Sequence, residues 1–172
     1  MGHKDDGYTN NCVCDILLDI VEEQEKVSPT SGCLSSCDVS LRELRGKGLS
    51  PTQYTTIPVS LICSSTCDYF IGMGVRRSLA TGAAPTAREQ FESVVFNVVD
   101  VDPETCCATL ELLQPHDVSV PSPDPNLTKA QYLLGLLDDE TSYRHTGICI
   151  TVNLDCFCGV VCHPPVTPQP IS

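Results

Sequence analysis

Three observations predict a mainly β fold: an antiparallel, β-sandwich-like domain with an N-terminal α-helix, rich in cysteine. Apolar residues alternate along Ile57–Cys63, Phe91–Val101, Cys107–Leu113 and Ile148–Cys158, and a period of two marks strands with one buried face. One early stretch carries the helical period instead. Twelve of the 172 residues are cysteine, close to the density of sulfur-stapled scaffolds. The length predicts one domain between tails: a flexible N-terminus over 1–11, a cysteine-rich β domain over 12–163, and a proline-rich tail over 164–172. Such a chain buries roughly 70% of its unfolded surface, so the cysteines are not needed to rescue a small core.

The helix is expected from Cys12 or Val13 to Val27. Val13, Ile16, Leu17, Ile20 and Val21 form an apolar stripe at i, i+3, i+4, i+7 spacing. Asn10 or Asn11 can cap it, Asp15 suits the first turn and Lys26 the last, and Ser28-Pro29 ends it. Residues 28–55, with Arg42, Arg45 and Lys47, read as loop. In the next run Ile57, Val59, Leu61 and Cys63 share one face, and Pro58 makes it an edge strand or a strand start. Tyr69–Ile71 reads as a second strand and 72–89 as loop. Phe91–Val101 reads as one strand with Val94, Phe96 and Val98 on a common face. After a turn at Asp102-Pro103-Glu104, Cys107–Leu113 pairs back, with Ala108, Leu110 and Leu112 inward and Cys107, Thr109 and Glu111 outward. Residues 115–125 form a proline-rich loop. Thr128-x-x-Gln131 is a capping box with Leu127 as its staple, opening a short helix with Ala130, Leu133, Leu134 and Leu137 on one face. Ile148–Cys158 is the last strand, and Pro164–Pro170 an extended, exposed tail.

Net charge is −12 with a pI near 4.5. That balance argues against nucleic acid, whose phosphates demand a basic surface, and against anionic membranes. No apolar run approaches the ~20 residues of a membrane-spanning helix. The N-terminus, Met1-Gly-His-Lys-Asp-Asp, is polar and lacks a signal-peptide core. Cysteine density calls for an oxidising destination, yet no secretory address is visible. A cytosolic zinc protein resolves the conflict. So does a protein made in a reducing cytosol and oxidised after assembly.

All twelve cysteines are candidates for disulfides or cross-links: Cys12, Cys14, Cys33, Cys37, Cys63, Cys67, Cys106, Cys107, Cys149, Cys156, Cys158 and Cys162. Strand parity sorts them. In a regular last strand Cys156 and Cys158 share the face of Ile150, Val152 and Leu154 and bond inside the molecule, while Cys149 points away. Cys106 and Cys107 are adjacent, so one faces out. Cys12 and Cys14, at an element end, and Cys107 and Cys149, on the outward parity, are the intermolecular candidates. The alternative is a cytosolic zinc-binding module. Cys33-x3-Cys37 and Cys63-x3-Cys67 have permitted ligand spacing, but 25 residues separate the pairs and the knuckle glycines are missing. Enzyme signals are weak. His3, His116, His145 and His163 are scattered, no Cys-x-x-Cys occurs, and Gly72-Met-Gly74 lacks the rest of a phosphate loop. Asp138-Asp139-Glu140 reads as a solvated helix end, and Asn126-Leu127-Thr128 is a glycosylation acceptor without a secretory address. No catalytic residue and no cofactor are expected.

Several segments, in order, resemble one family: Asn11-Cys-Val-Cys-Asp15, Glu23-Gln24-Glu25, Thr56-Ile57-Pro58, Phe91-Glu92-Ser93, Cys106-Cys107-Ala108-Thr109-Leu110, and Ile148-Cys149-Ile150 running to Cys156-Phe157-Cys158-x3-Cys162. The pattern is similar to the cysteine-rich spore-coat and exosporium proteins of endospore-forming bacteria, the CotY/CotZ–ExsY family. The resemblance covers most of residues 11–162. It implies a structural protein, not an enzyme. It further implies synthesis in the mother-cell cytoplasm without a signal peptide, self-assembly into hexameric rings and sheets with itself and with other coat or exosporium proteins, and disulfide cross-linking in the spore surface layers. Residues 127–143 stand as an insertion, and the tail is rich in proline where some relatives carry histidine.

Overall fold

The computed structural model describes residues 12–27, 55–116, 124–137, 142–164 and 166–171. The expectations for 1–11, for the loop over 28–54, for Asp138–Glu140, and for Cys33 and Cys37 lie outside the described residues. In chain order the elements are α1 (Cys12–Val27), β1 (Val59–Cys63), β2 (Gly72–Arg77), β3 (Arg88–Ser93), β4 (Phe96–Asp102), β5 (Cys107–His116), α2 (Lys129–Gly135), β6 (Ser142–Asn153), a 3-10 turn (Leu154–Cys156) and β7 (Phe157–Cys162). The fold is mainly β, with antiparallel sheets and an N-terminal helix, as the periodicities predict.

Five strands form the main sheet in the order β6-β5-β4-β1-β7, every neighbouring pair antiparallel. The two edge strands are consecutive in the chain, joined only by the 3-10 turn. A flat sheet would hold its outer strands roughly 19 Å apart, whereas a short 3-10 turn rises only about 2 Å per residue. The sheet must therefore curl its edges toward each other. Register shifts in β4–β5, β5–β6 and β1–β7 are the local bends that permit this.

The hairpin β2–β3 forms a second sheet, laid over β5 and β6. The small residues of 72–89, read as loop, build part of it. A Cβ on Gly74 would lie 2.2 Å from Ile148 Cγ2, and one on Gly72 would lie 2.5 Å from Phe96 Cε1. The missing side chains let one backbone approach another sheet. Arg76 anchors the hairpin from beneath: Nη1 donates to Thr146 O at 2.6 Å, Nη2 to Glu89 Oε2 at 3.0 Å, and the guanidinium sits over Phe91. The expected strand Phe91–Val101 is two strands. Ser93 Oγ donates to Leu113 O and accepts from Val95 N, and the chain changes sheets at the buried pair Val94-Val95.

Helix α1 buries Val13, Cys14, Leu17, Ile20 and Val21 against Val59, Leu61, Phe96 and Val98. Ile16, placed on the stripe by spacing, is 40% exposed, and Cys14 at 0% takes its place. Gln24 fixes the helix lengthwise by donating to Val98 O and accepting from Ile57 N. Pro58 directly precedes β1, so the strand-start reading holds; β1 itself lies inside the sheet. The capping box of α2 is formed: Thr128 N donates to Gln131 Oε1 and Gln131 N to Thr128 Oγ1. Leu133, Leu134 and Leu137 pack on a second cluster around Val94, Val95, Leu113, Ala130 and Tyr143.

Two further expectations are corrected. Glu111, expected outward, is fully buried. The register shift beside it turns its carboxylate into a polar pocket, where it accepts from Asn97 Nδ2 at 3.2 Å and Gly147 N at 3.0 Å and lies 2.8 Å from His145 Nδ1. The tail is extended but not idle. Val166 exchanges both backbone hydrogen bonds with Thr56, and Gln169 bonds Tyr143 O and His145 N. Residues after β7 thus strap the approach to β1 onto the start of β6.

Candidate functional site: a corner of thiols

Six cysteines converge around the 3-10 turn. Cys63 ends β1, and the turn after it closes with Cys67 N donating to Cys63 O at 3.0 Å and Cys63 N to Asp68 O at 2.9 Å. Ser64 N donates to Cys156 O at 3.0 Å, which ties that turn to the 3-10 turn. Cys158 is the extra residue at the β1–β7 register shift, and its Sγ lies 3.8 Å from Cys63 O. From the other side Leu154 N donates to Cys106 O at 2.9 Å, and Cys107 stands opposite Asn153. Cys67, Cys156 and Cys158 are exposed, Cys63 and Cys107 half-buried, and Cys106 buried.

The local causes are readable. Asn153 Oδ1 accepts from Asp155 N, a short side chain folding the backbone into a turn. That signal, Asn-x-Asp at the end of an apolar run, could have been found in the sequence. The turn breaks strand parity, so Cys156 and Cys158 face solvent rather than the core as a regular strand would demand. Asp102 organises the β4–β5 turn; bonds from Thr105 Oγ1 and Glu104 N hold its carboxyl below the usual value. Cys67 and Cys106 sit at φ +52° and +51°, a left-handed region costing a non-glycine residue about 1 kcal/mol or more.

The other thiols are dispersed. Cys12 is exposed on the first turn of α1, and Cys14 two residues on is buried, which removes it from the outward set. Cys162, at the far end of β7, is exposed, and surrounding bulk pushes its thiol up. Next to it, His163 Nε2 lies 2.9 Å from the buried Ser60 Oγ, and burial holds its imidazole below the usual value. Cys149 is disulfide-bonded; the nine other described cysteines are not in disulfides. Of the alternative zinc set, Cys63 and Cys67 lie in one turn and Cys33 and Cys37 outside the described residues. Among the described residues no group of three or more His, Cys, Asp or Glu side chains is placed to hold a metal, and no helix is long and apolar enough to cross a membrane.

The described residues make a small, curled, cysteine-rich β domain with five exposed thiols. The chain matches the family described as spore coat protein Z over residues 1–165 and belongs to that family. No curated protein and no solved structure matches it. The family implies a structural protein of the spore coat, placed in a spore surface layer and working with other coat proteins. It points away from catalysis.

Proposed function

We propose that this protein is a building block that assembles with copies of itself into ordered oligomers and sheets, hexameric rings among them, and is then fixed by disulfides. Residues 12–163, with the strap through Gln169 laid on them, form the unit. It is made in the mother-cell cytoplasm and oxidised in the coat or exosporium, where other coat proteins dock. The observation that carries this reading is the thiol corner: Cys67, Cys156 and Cys158 are exposed where the turn after β1 meets the 3-10 turn, Cys67 N bonding Cys63 O, Ser64 N bonding Cys156 O and Cys158 Sγ lying against Cys63 O. Cys12 and Cys162 add exposed thiols elsewhere, so one copy can bond to more than one neighbour, which a sheet requires.

The chemistry balances simply. Two thiols on neighbouring copies lose two protons and two electrons to dissolved oxygen, forming one disulfide and one hydrogen peroxide. Non-covalent contact comes first and sets geometry; the bond then lowers the rate of dissociation. Negative-stain electron microscopy of purified protein with and without reductant tests the reading. Regular rings or sheets are expected in both, with only the oxidised material surviving denaturant. Uniform monomers in both conditions would overturn it.

A further inference from the structure

Copies of a chain with net charge −12 repel one another, so a self-contact needs a local cationic landing site. The hairpin supplies one. Arg77 and Arg88 face each other across β2–β3, both exposed. Like charges directly opposite in a sheet are destabilising. The other described cations have partners: Lys26 pairs with Glu23, Arg76 with Glu89, Lys129 with Glu92, and Arg144 lies against His116. Arg77 and Arg88 have no ion pair or side-chain hydrogen bond among the described residues. Beside them on the same outer face stand Met73, 58% exposed, and Val75, 47% exposed.

The complement is on α1. Its solvent face presents Asp19 and Glu22, exposed and without ion pairs among the described residues, and one turn earlier the exposed Ile16. From Ile16 to Glu22 the helix advances about 9 Å, and from Val75 to Arg77 the strand advances about 7 Å. An apolar contact and a charge contact can therefore be made together. Helix α1 rests on β4 and β7, the hairpin on β5 and β6, so the two surfaces belong to separate parts of one copy.

We infer that the outer face of α1 in one copy docks on the outer face of hairpin β2–β3 in the next, with Asp19 and Glu22 against Arg77 and Arg88 and Ile16 against Met73 and Val75. The inference rests on the assembly reading above and names its non-covalent contact. Because two different surfaces meet, the contact is head-to-tail, and repetition closes rings or extends open arrays. Charge complementarity of this kind selects the partner and its orientation.

Charge reversal in reductant tests it, with sedimentation velocity as the readout and circular dichroism confirming that each variant is folded. R77E/R88E and D19K/E22K should each raise the concentration needed for assembly about tenfold or more. An equimolar mixture of the two should assemble near the wild-type concentration, as should the quadruple variant. Either double variant assembling like wild type, or a mixture that stays dispersed, would overturn the contact while leaving self-assembly standing. Wild type that remains monomeric with and without reductant would overturn both.

Discussion

At the scale of single residues, Cys67 is the informative position. It closes the turn after β1 at φ +52°, where glycine is at ease and a side chain is strained. Its side chain is exposed, so packing does not explain the residue. Cys67→Gly should stabilise the reduced monomer by about 1 kcal/mol, read as a higher urea midpoint, and should lower the yield of cross-linked material. An unchanged or lower midpoint would mean that the turn relaxes around the thiol at no cost. Cys106 shares the conformation but is buried, and the same exchange there would also empty packed space. Sequence reasoning saw both thiols but neither conformation, because nothing in a list of side chains marks where the backbone must turn left-handed.

At the scale of elements, the helix α1, β1, the pairing of β4 with β5 and the capped α2 were legible, since each rests on local periodicity or a local cap. What was hidden depends on tertiary contact. Gly72 and Gly74 read as loop because their use is the nearness of Ile148 and Phe96, far away in sequence. Phe91–Val101 read as one strand because Ser93 breaks it by bonding Leu113 O. Glu111 read as solvent-facing because a register shift is not visible in alternation. The buried Glu111 carboxylate now sustains bonds to β4 and β6 at once, and Glu111→Ala would leave Asn97 and Gly147 N without their acceptor. A loss of about 2–4 kcal/mol is expected, measured by urea unfolding in reductant. A loss below about 0.5 kcal/mol would show that water or His145 takes over. The thiol corner was half legible: the cysteines and the resemblance were evident, but their exposure followed from a 3-10 turn that parity overlooked.

At the scale of the whole molecule, two straps hold the curl. One is the 3-10 turn that joins the edge strands; the other is the segment after β7, reaching Thr56 and then the start of β6 through four backbone hydrogen bonds. A chain ending at His163 should lose about 2–3 kcal/mol, since each bond is worth roughly 1 kcal/mol net and the released residues regain entropy. Thermal or urea unfolding of the reduced monomer checks this; an unaltered midpoint would make the strap idle. The same truncation should leave Cys67, Cys156 and Cys158 as reactive toward an alkylating reagent as before, because that corner lies at the other end of β7.

Cys14 lies two residues from the exposed Cys12, yet it is sealed beneath α1. An oxidant meeting a correctly docked copy finds one sulfur at this place in the chain; meeting a copy whose helix has lifted away, it finds two. Local opening of this kind precedes global unfolding wherever one element can come away from the rest. In the proposed cross-linking, oxidation would thereby act as an inspector as well as a glue: it would distinguish well-folded copies from faulty ones by how many sulfurs they show, and a faulty copy would keep the record in the extra bond it acquires.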